Sequence, residues 1–166
     1  MALKDALLPE FDHEMGTTRR VLERVPDADL AWKPHDKSFS MGQLAAHIAN
    51  VPHWVEITID RNAFDIAAGG EDARPKQPES AAAILKRFDD NVKTARAKID
   101  ALPDPALFAT WTLKNGEQEV FTLPKIAVLR SFIMNHMIHH RGQLSVYLRL
   151  RNVPVPAIYG PSADDG

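Results

Sequence analysis

Four stretches of this chain place apolar residues three and four apart, the spacing of one face of an α-helix, with turn signals between them. In residues 3–25 the stripe is Leu7, Leu8, Phe11, Met15, Thr18, Leu22 and Val25, and Pro26 and Pro34 follow it. A second stripe starts at Ser40, which with Gln43 has the spacing of a capping box, and continues through Met41, Leu44, His47, Ile48, Val51, Val55 and Thr58. Pro52 falls inside this stripe, removes one backbone donor and predicts a kink. Residues 67–79 carry Gly69, Gly70, Pro75 and Pro78 and read as a long loop. The third helix is predicted over residues 80–102, with Ile84, Leu85, Phe88, Val92, Ala95, Ile99 and Leu102 inward. Residues 108–122 hold Asn115-Gly116 between two β-prone arms, the signal of a tight hairpin. The last helix is predicted from residues 122–124 to Arg151, and the tail over residues 154–161 is too rich in proline to be helical. The expected architecture is all-α: one domain over residues 1–166, an antiparallel four-helix bundle with a small β-hairpin before the last helix.

Composition narrows the function. The 166 residues include no cysteine, which excludes a disulfide framework, an Fe–S cluster, a cysteine-bearing zinc site and a cysteine nucleophile. Twenty basic residues stand against 22 acidic ones, so the net charge of -2 gives no electrostatic case for nucleic acid or an anionic membrane. The third helix mixes Lys86, Arg87, Lys93, Arg96 and Lys98 with Asp89, Asp90 and Asp100, the pattern of a solvated face. No apolar run reaches the ~20 residues of a membrane span, and no signal-peptide core follows Met1, so the chain is expected in the cytoplasm.

The segment Asn135-His-Met-Ile-His-His-Arg-Gly-Gln143 bears the chemistry. At about 100° per residue, His136 and His140 lie about 40° apart on the face shared with Leu129, Ile133, Leu144 and Tyr147, with His140 at its middle. His139 falls at its edge. Two inward imidazoles one turn apart read either as a pair of metal ligands or as a hydrogen-bonded polar core. His47, inward on the second stripe, makes a third, and three histidines on two helices form the ligand set of a three-histidine metal site. His13, His35 and His53 read as surface residues. Glu56 and Asp60 point away from His47, so the second helix offers no further ligand.

Three passages, Phe39-Ser-Met-Gly-Gln-Leu-Ala-Ala-His47-Ile, His136-Met-Ile-His-His140-Arg-Gly-Gln143 and Pro154-Val-Pro-Ala-Ile-Tyr-Gly-Pro-Ser-Ala-Asp164, resemble the DinB-like (DinB/YfiT) metal-binding four-helix bundles. The resemblance implies that His47, His136 and His140 hold one divalent ion, zinc, nickel or iron. Arg141 and Gln143 match the motif without an assigned role. It further implies a homodimer, and a transferase or isomerase that uses a low-molecular-weight thiol of the bacillithiol, mycothiol or glutathione type toward an electrophile. Two other expectations stand beside it. One is a hydrolase in which the ion activates water, with Glu14 as the only carboxylate to propose as base. The other is a non-catalytic, stress-related metal-binding dimer.

Overall fold

The computed structural model describes residues 3–69 and 76–165. Helix α1 spans Leu3–Leu22; α2, Met41–Asn50; α3, His53–Asp60; the short α4, Ile66–Gly69; α5, Ala81–Ala101; and the single turn α6, Asp104–Leu107. The last helical rod is α7, Lys125–Ala127, a π-helical stretch over Val128–Met134, and α8, Asn135–Leu150. Residues 70–75, within the expected loop, lie outside the described residues; the first residues of that loop, 67–69, are helical as part of α4.

Local chemistry sets the boundaries. Ser40 accepts from Gln43 N at 3.1 Å while Gln43 Oε1 accepts from Ser40 N at 3.0 Å, closing the expected capping box. Ser80 caps α5 by a single bond, its hydroxyl oxygen accepting from Ala83 N. Pro52 does more than kink the second stripe. It divides it, because α2 ends at Asn50 and α3 begins at His53. At the end of α8, Asn152 takes φ 57° while Asn152 N–H reaches Arg149 O and Val153 N–H reaches Leu148 O, both at 3.0 Å. These are the two bonds of a Schellman cap, and Pro154 follows it.

Helix α5 packs against α1, α2 and α3, and α8 packs against α1 and α2. Leu7, Phe11, Met15, Leu44, Ile48, Phe88, Ile99, Leu144 and Leu148 fill the space between them. Gly42 lets α2 approach its neighbours: a Cβ there would lie 2.9 Å from the Leu30 carbonyl.

The all-α expectation needs correction. The described residues include a three-stranded sheet of β1 (Ala63–Asp65), β2 (Thr110–Asn115) and β3 (Gln118–Pro124), in that order. The hairpin β2–β3 was expected. Its two-residue loop is Gly116-Glu117 rather than Asn115-Gly116, with Gly116 at φ 63° in the first central position. Strand β1 pairs in parallel with β2, Ala63 opposite Thr112, and this could not be read from so short a segment. Lys125 secures the junction: its buried Nζ donates to Ile59 O at 2.8 Å and Arg61 O at 3.0 Å, tying the end of α3 to the end of the hairpin. The described helices are also more divided than four unbroken rods, since Pro52 and the π-helical stretch interrupt two of them.

Candidate metal centre

The π-helical stretch decides which way the histidines face. Asn135 N–H bonds Arg130 O, five residues back, so the upstream part of the rod is rotated by about 100° relative to an uninterrupted α-helix. Leu129 and Ile133 therefore stay in the core with Met137, Leu144 and Leu148, all of them buried. Downstream, the centre of the buried stripe passes through Met137 and Arg141 rather than His140. His136 and His140 sit on its flank, half-buried, where the helix borders a cleft. One continuous periodicity through Leu129 would instead put His140 at the centre.

From that flank the two rings meet His47, which α2 supplies and which is 7% exposed. His136 Nε2 lies 2.9 Å from His47 Nε2 and 3.1 Å from His140 Nε2. These three are the group of described residues able to hold a metal ion, their ligand atoms all within 4.8 Å of one another. His139 stays exposed beside them, its ring centroid 4.9 Å from that of His140. His13 and His35 are exposed and His53 is partly so, facing Glu56, as expected.

Protons alone serve this cluster poorly. Gln143 Oε1 lies 2.8 Å from His140 Nδ1 and accepts its proton, which leaves the lone pair of His140 Nε2 facing the cluster. His136 Nε2 has close contacts to two other nitrogens, and a single proton there serves one of them at a time. Three nitrogens bound tetrahedrally to zinc at ~2.0 Å would stand about 3.3 Å apart; two of the pairs stand at 2.9 and 3.1 Å and all three atoms lie within 4.8 Å of one another, so the donor set fits a divalent ion. Burial keeps the rings ready for one. It lowers the pKa of His47 and of His136 to about 4, with the neighbouring His140 adding to the shift, and it lowers that of His140 as well. All three are thus neutral at pH 7, and proton competition is moved down from the ordinary histidine range.

Aromatic rings wall one side. Trp54 stacks on Phe132 at 5.4 Å between centroids and lies 5.1 Å from the His136 ring and 5.7 Å from the His47 ring. Neither could be placed by spacing alone, because the break at Pro52 separates Trp54 from His47 and the π-helical stretch separates Phe132 from the regular turn of His136.

The residue after His140 has a different task. Arg141 is 1% exposed, and its Nη1 donates to Glu14 Oε2 at 2.8 Å and Thr18 Oγ1 at 3.1 Å. Its Nη2 donates to Tyr159 OH at 2.6 Å, and that hydroxyl donates in turn to the Glu14 carboxylate at 2.9 Å. Glu14 is therefore committed to an ion pair that joins α1, α8 and the tail. The carboxylate considered as a hydrolytic base is held by Arg141 and Tyr159 and does not belong to the three-histidine group.

With this geometry in view, comparison with known proteins is decisive. The profile of the DinB family matches residues 1–166. The chain belongs to the DinB family. It is 25% identical over 165 residues to the uncharacterized protein YrdA of Bacillus subtilis (strain 168), covering 97% of this chain and 90% of that protein. A solved DinB-like protein of Bacillus cereus ATCC 10987 superposes with a TM-score of 0.72 at 23% identity, over 93% of this chain and 97% of the other. A second, the DinB-like protein YjoA of Bacillus subtilis, gives 0.71 at 18% identity, over 94% and 98%. These two likenesses establish the fold: mostly helical, with the small sheet at one side. No described helix is long and apolar enough to cross a membrane.

Proposed function

We propose that this DinB-family chain binds one divalent ion, zinc, nickel or iron, through His47, His136 and His140, and acts as a thiol S-transferase on a small-molecule electrophile. The observation that carries the metal reading is the convergence of three Nε2 atoms, two of the contacts at 2.9 and 3.1 Å, with the Nδ1–H of His140 held by Gln143 so that its Nε2 lone pair faces the cluster. Three protein ligands leave coordination positions open, as chemistry requires and a closed structural site does not. A bound ion there would supply the Lewis acidity that holds an incoming thiol as its thiolate at neutral pH.

The chain's own residues do the rest. Burial keeps His47 and His136 neutral. Gln143 orients His140 and fixes its tautomer, the outer-shell role that commonly stiffens a ligand. Trp54 and Phe132 keep water from one side of the cluster. With no cysteine in the chain, the thiol must come from a small molecule such as bacillithiol, mycothiol or glutathione. In the same reading the protein works in the cytoplasm as a homodimer. Val146 and Leu150, each 56% exposed on α8, are apolar surface that a second copy would cover.

The test begins with metal analysis of the purified protein, followed by titration of each thiol into the loaded form while its ultraviolet thiolate band is recorded. The expected result is one ion per chain and thiolate formation at pH 7 that His140→Ala abolishes. Metal uptake with neither thiolate formation nor transfer to an electrophile would overturn the transferase reading in favour of a non-catalytic metal protein.

A further inference from the structure

A cavity of about 260 Å³ opens directly beside the histidine cluster, and His47 and His136 form part of its wall. The rest of the wall comes from elements far apart in sequence. Trp54 and Ile57 belong to α3, Phe64 to β1, Trp111 and Leu113 to β2, and Phe132 to the π-helical stretch. Ile66, 39% exposed on α4, stands at the rim. Among the described residues no lysine, arginine, aspartate or glutamate lines the space, and its polar groups are the two histidines, Thr58 and the indole N–H groups of Trp54 and Trp111, that of Trp111 buried without a partner. A charged occupant would lose its hydration there without an opposite charge to replace it, so a neutral one is selected. The wall also selects for shape. Four aromatic side chains surround the space: Trp54 stacks on Phe132 and both rings lie tilted against His136, contacts that an inserted flat ring would extend. Size follows by proportion: an apolar cavity of ~150 Å³ accepts a single benzene, so this one has room for a bicyclic ring.

We infer that the cavity is a binding site for a neutral, flat arene of one or two fused rings, held against His47 and His136 beside the metal face. If the transferase reading above is right, this arene is the apolar part of the electrophilic substrate, and only that part of the inference rests on the reading. The three-stranded sheet then has a role of its own, since β1 and β2 build the wall opposite the helices.

The probe is 1-fluoronaphthalene, followed by ¹⁹F NMR in metal-free, Zn²⁺-loaded and Co²⁺-loaded protein. Saturable binding is expected in all three, with strong ¹⁹F relaxation enhancement in the Co²⁺ form because the ring lies beside the ion. Ile66→Trp and Phe64→Trp, which fill the rim and the interior, should each weaken binding at least tenfold while circular dichroism stays unchanged. Lys93→Trp, on the exposed face of α5, should leave it unchanged. Absence of saturable binding, equal binding by both filling variants when they are folded, or binding without Co²⁺ relaxation would overturn the inference. Failure of Co²⁺ to bind would instead overturn the metal reading, and the metal-free titration with its variants would still decide the cavity.

Discussion

His140 and Arg141 are neighbours in sequence, yet the polar groups around them are organised in opposite ways. Around Arg141 both terminal nitrogens have acceptors: Glu14, Thr18 and Tyr159 close the network on themselves. Around His140 the ring nitrogens converge on one another, and His136 Nε2 faces two of them with at most one proton to give. A closed network inside a protein fixes geometry, and breaking it strands a charge. An open one holds its groups ready for something the chain lacks. The difference separates a structural polar site from a ligand site more surely than burial does, because both are largely sheltered from solvent.

The most damaging way to probe the comparison is Arg141→Ala, which leaves the Glu14 carboxylate buried without its partner. Urea unfolding of the metal-free protein should show a loss of about 3–5 kcal/mol. A loss below about 1 kcal/mol, the scale of an exposed pair, would show that the network is not closed against water. On the other side, His140→Ala should lower zinc affinity more than 100-fold in a chelator competition, with metal-free stability changed far less than by Arg141→Ala. Gln143→Ala removes an orienting bond but no ligand, and a fall of about 10–100-fold in zinc affinity is expected.

The pH response sharpens the comparison further. His47 and His136 have pKa values of about 4 in the folded chain and near 6.5 when it is unfolded, so the unfolded state takes up protons first. Their contribution to metal-free stability is therefore fully present above pH ~6.5 and declines as the pH falls from there through about 4. Zinc retention should likewise fail nearer pH 4 than 6.5, followed by equilibrium dialysis across that range. Loss of zinc centred at the ordinary histidine value would mean that the cluster is more hydrated than its geometry indicates. The smallest effect is expected from His139→Ala, within twofold of the parent affinity by the same competition, because that ring stays exposed outside the cluster.

Most of the candidate site was legible before any coordinates. His136 and His140 share a helix face because one turn separates them, and His47 lies on the inner stripe of its own helix. What misled the periodicity was its continuity. Leu129 and His136 belong to one apolar pattern only if the helix is uniform, and the π-helical stretch between them is not. The true centre of the downstream stripe, at Arg141, was hidden for a second reason. An arginine reads as surface unless its carboxylate is known, and Glu14 lies 127 residues away. Strand β1 was missed because three residues carry too little alternation to be recognised.

The sequence by itself determined the helical stripes, the Ser40 cap, the break at Pro52, the hairpin and the identity of the three histidines. Each of these is specified by residues within a few positions of one another, where backbone geometry and side-chain spacing act directly. Tertiary structure alone decided that Arg141 is buried, that Glu14 serves it rather than the histidines, that β1 lies parallel to β2, and that four aromatic side chains enclose a cavity at the metal face. Those outcomes depend on partners from distant parts of the chain. The energies that select them, ion-pair desolvation, strand pairing and aromatic packing, exist only once those parts have met.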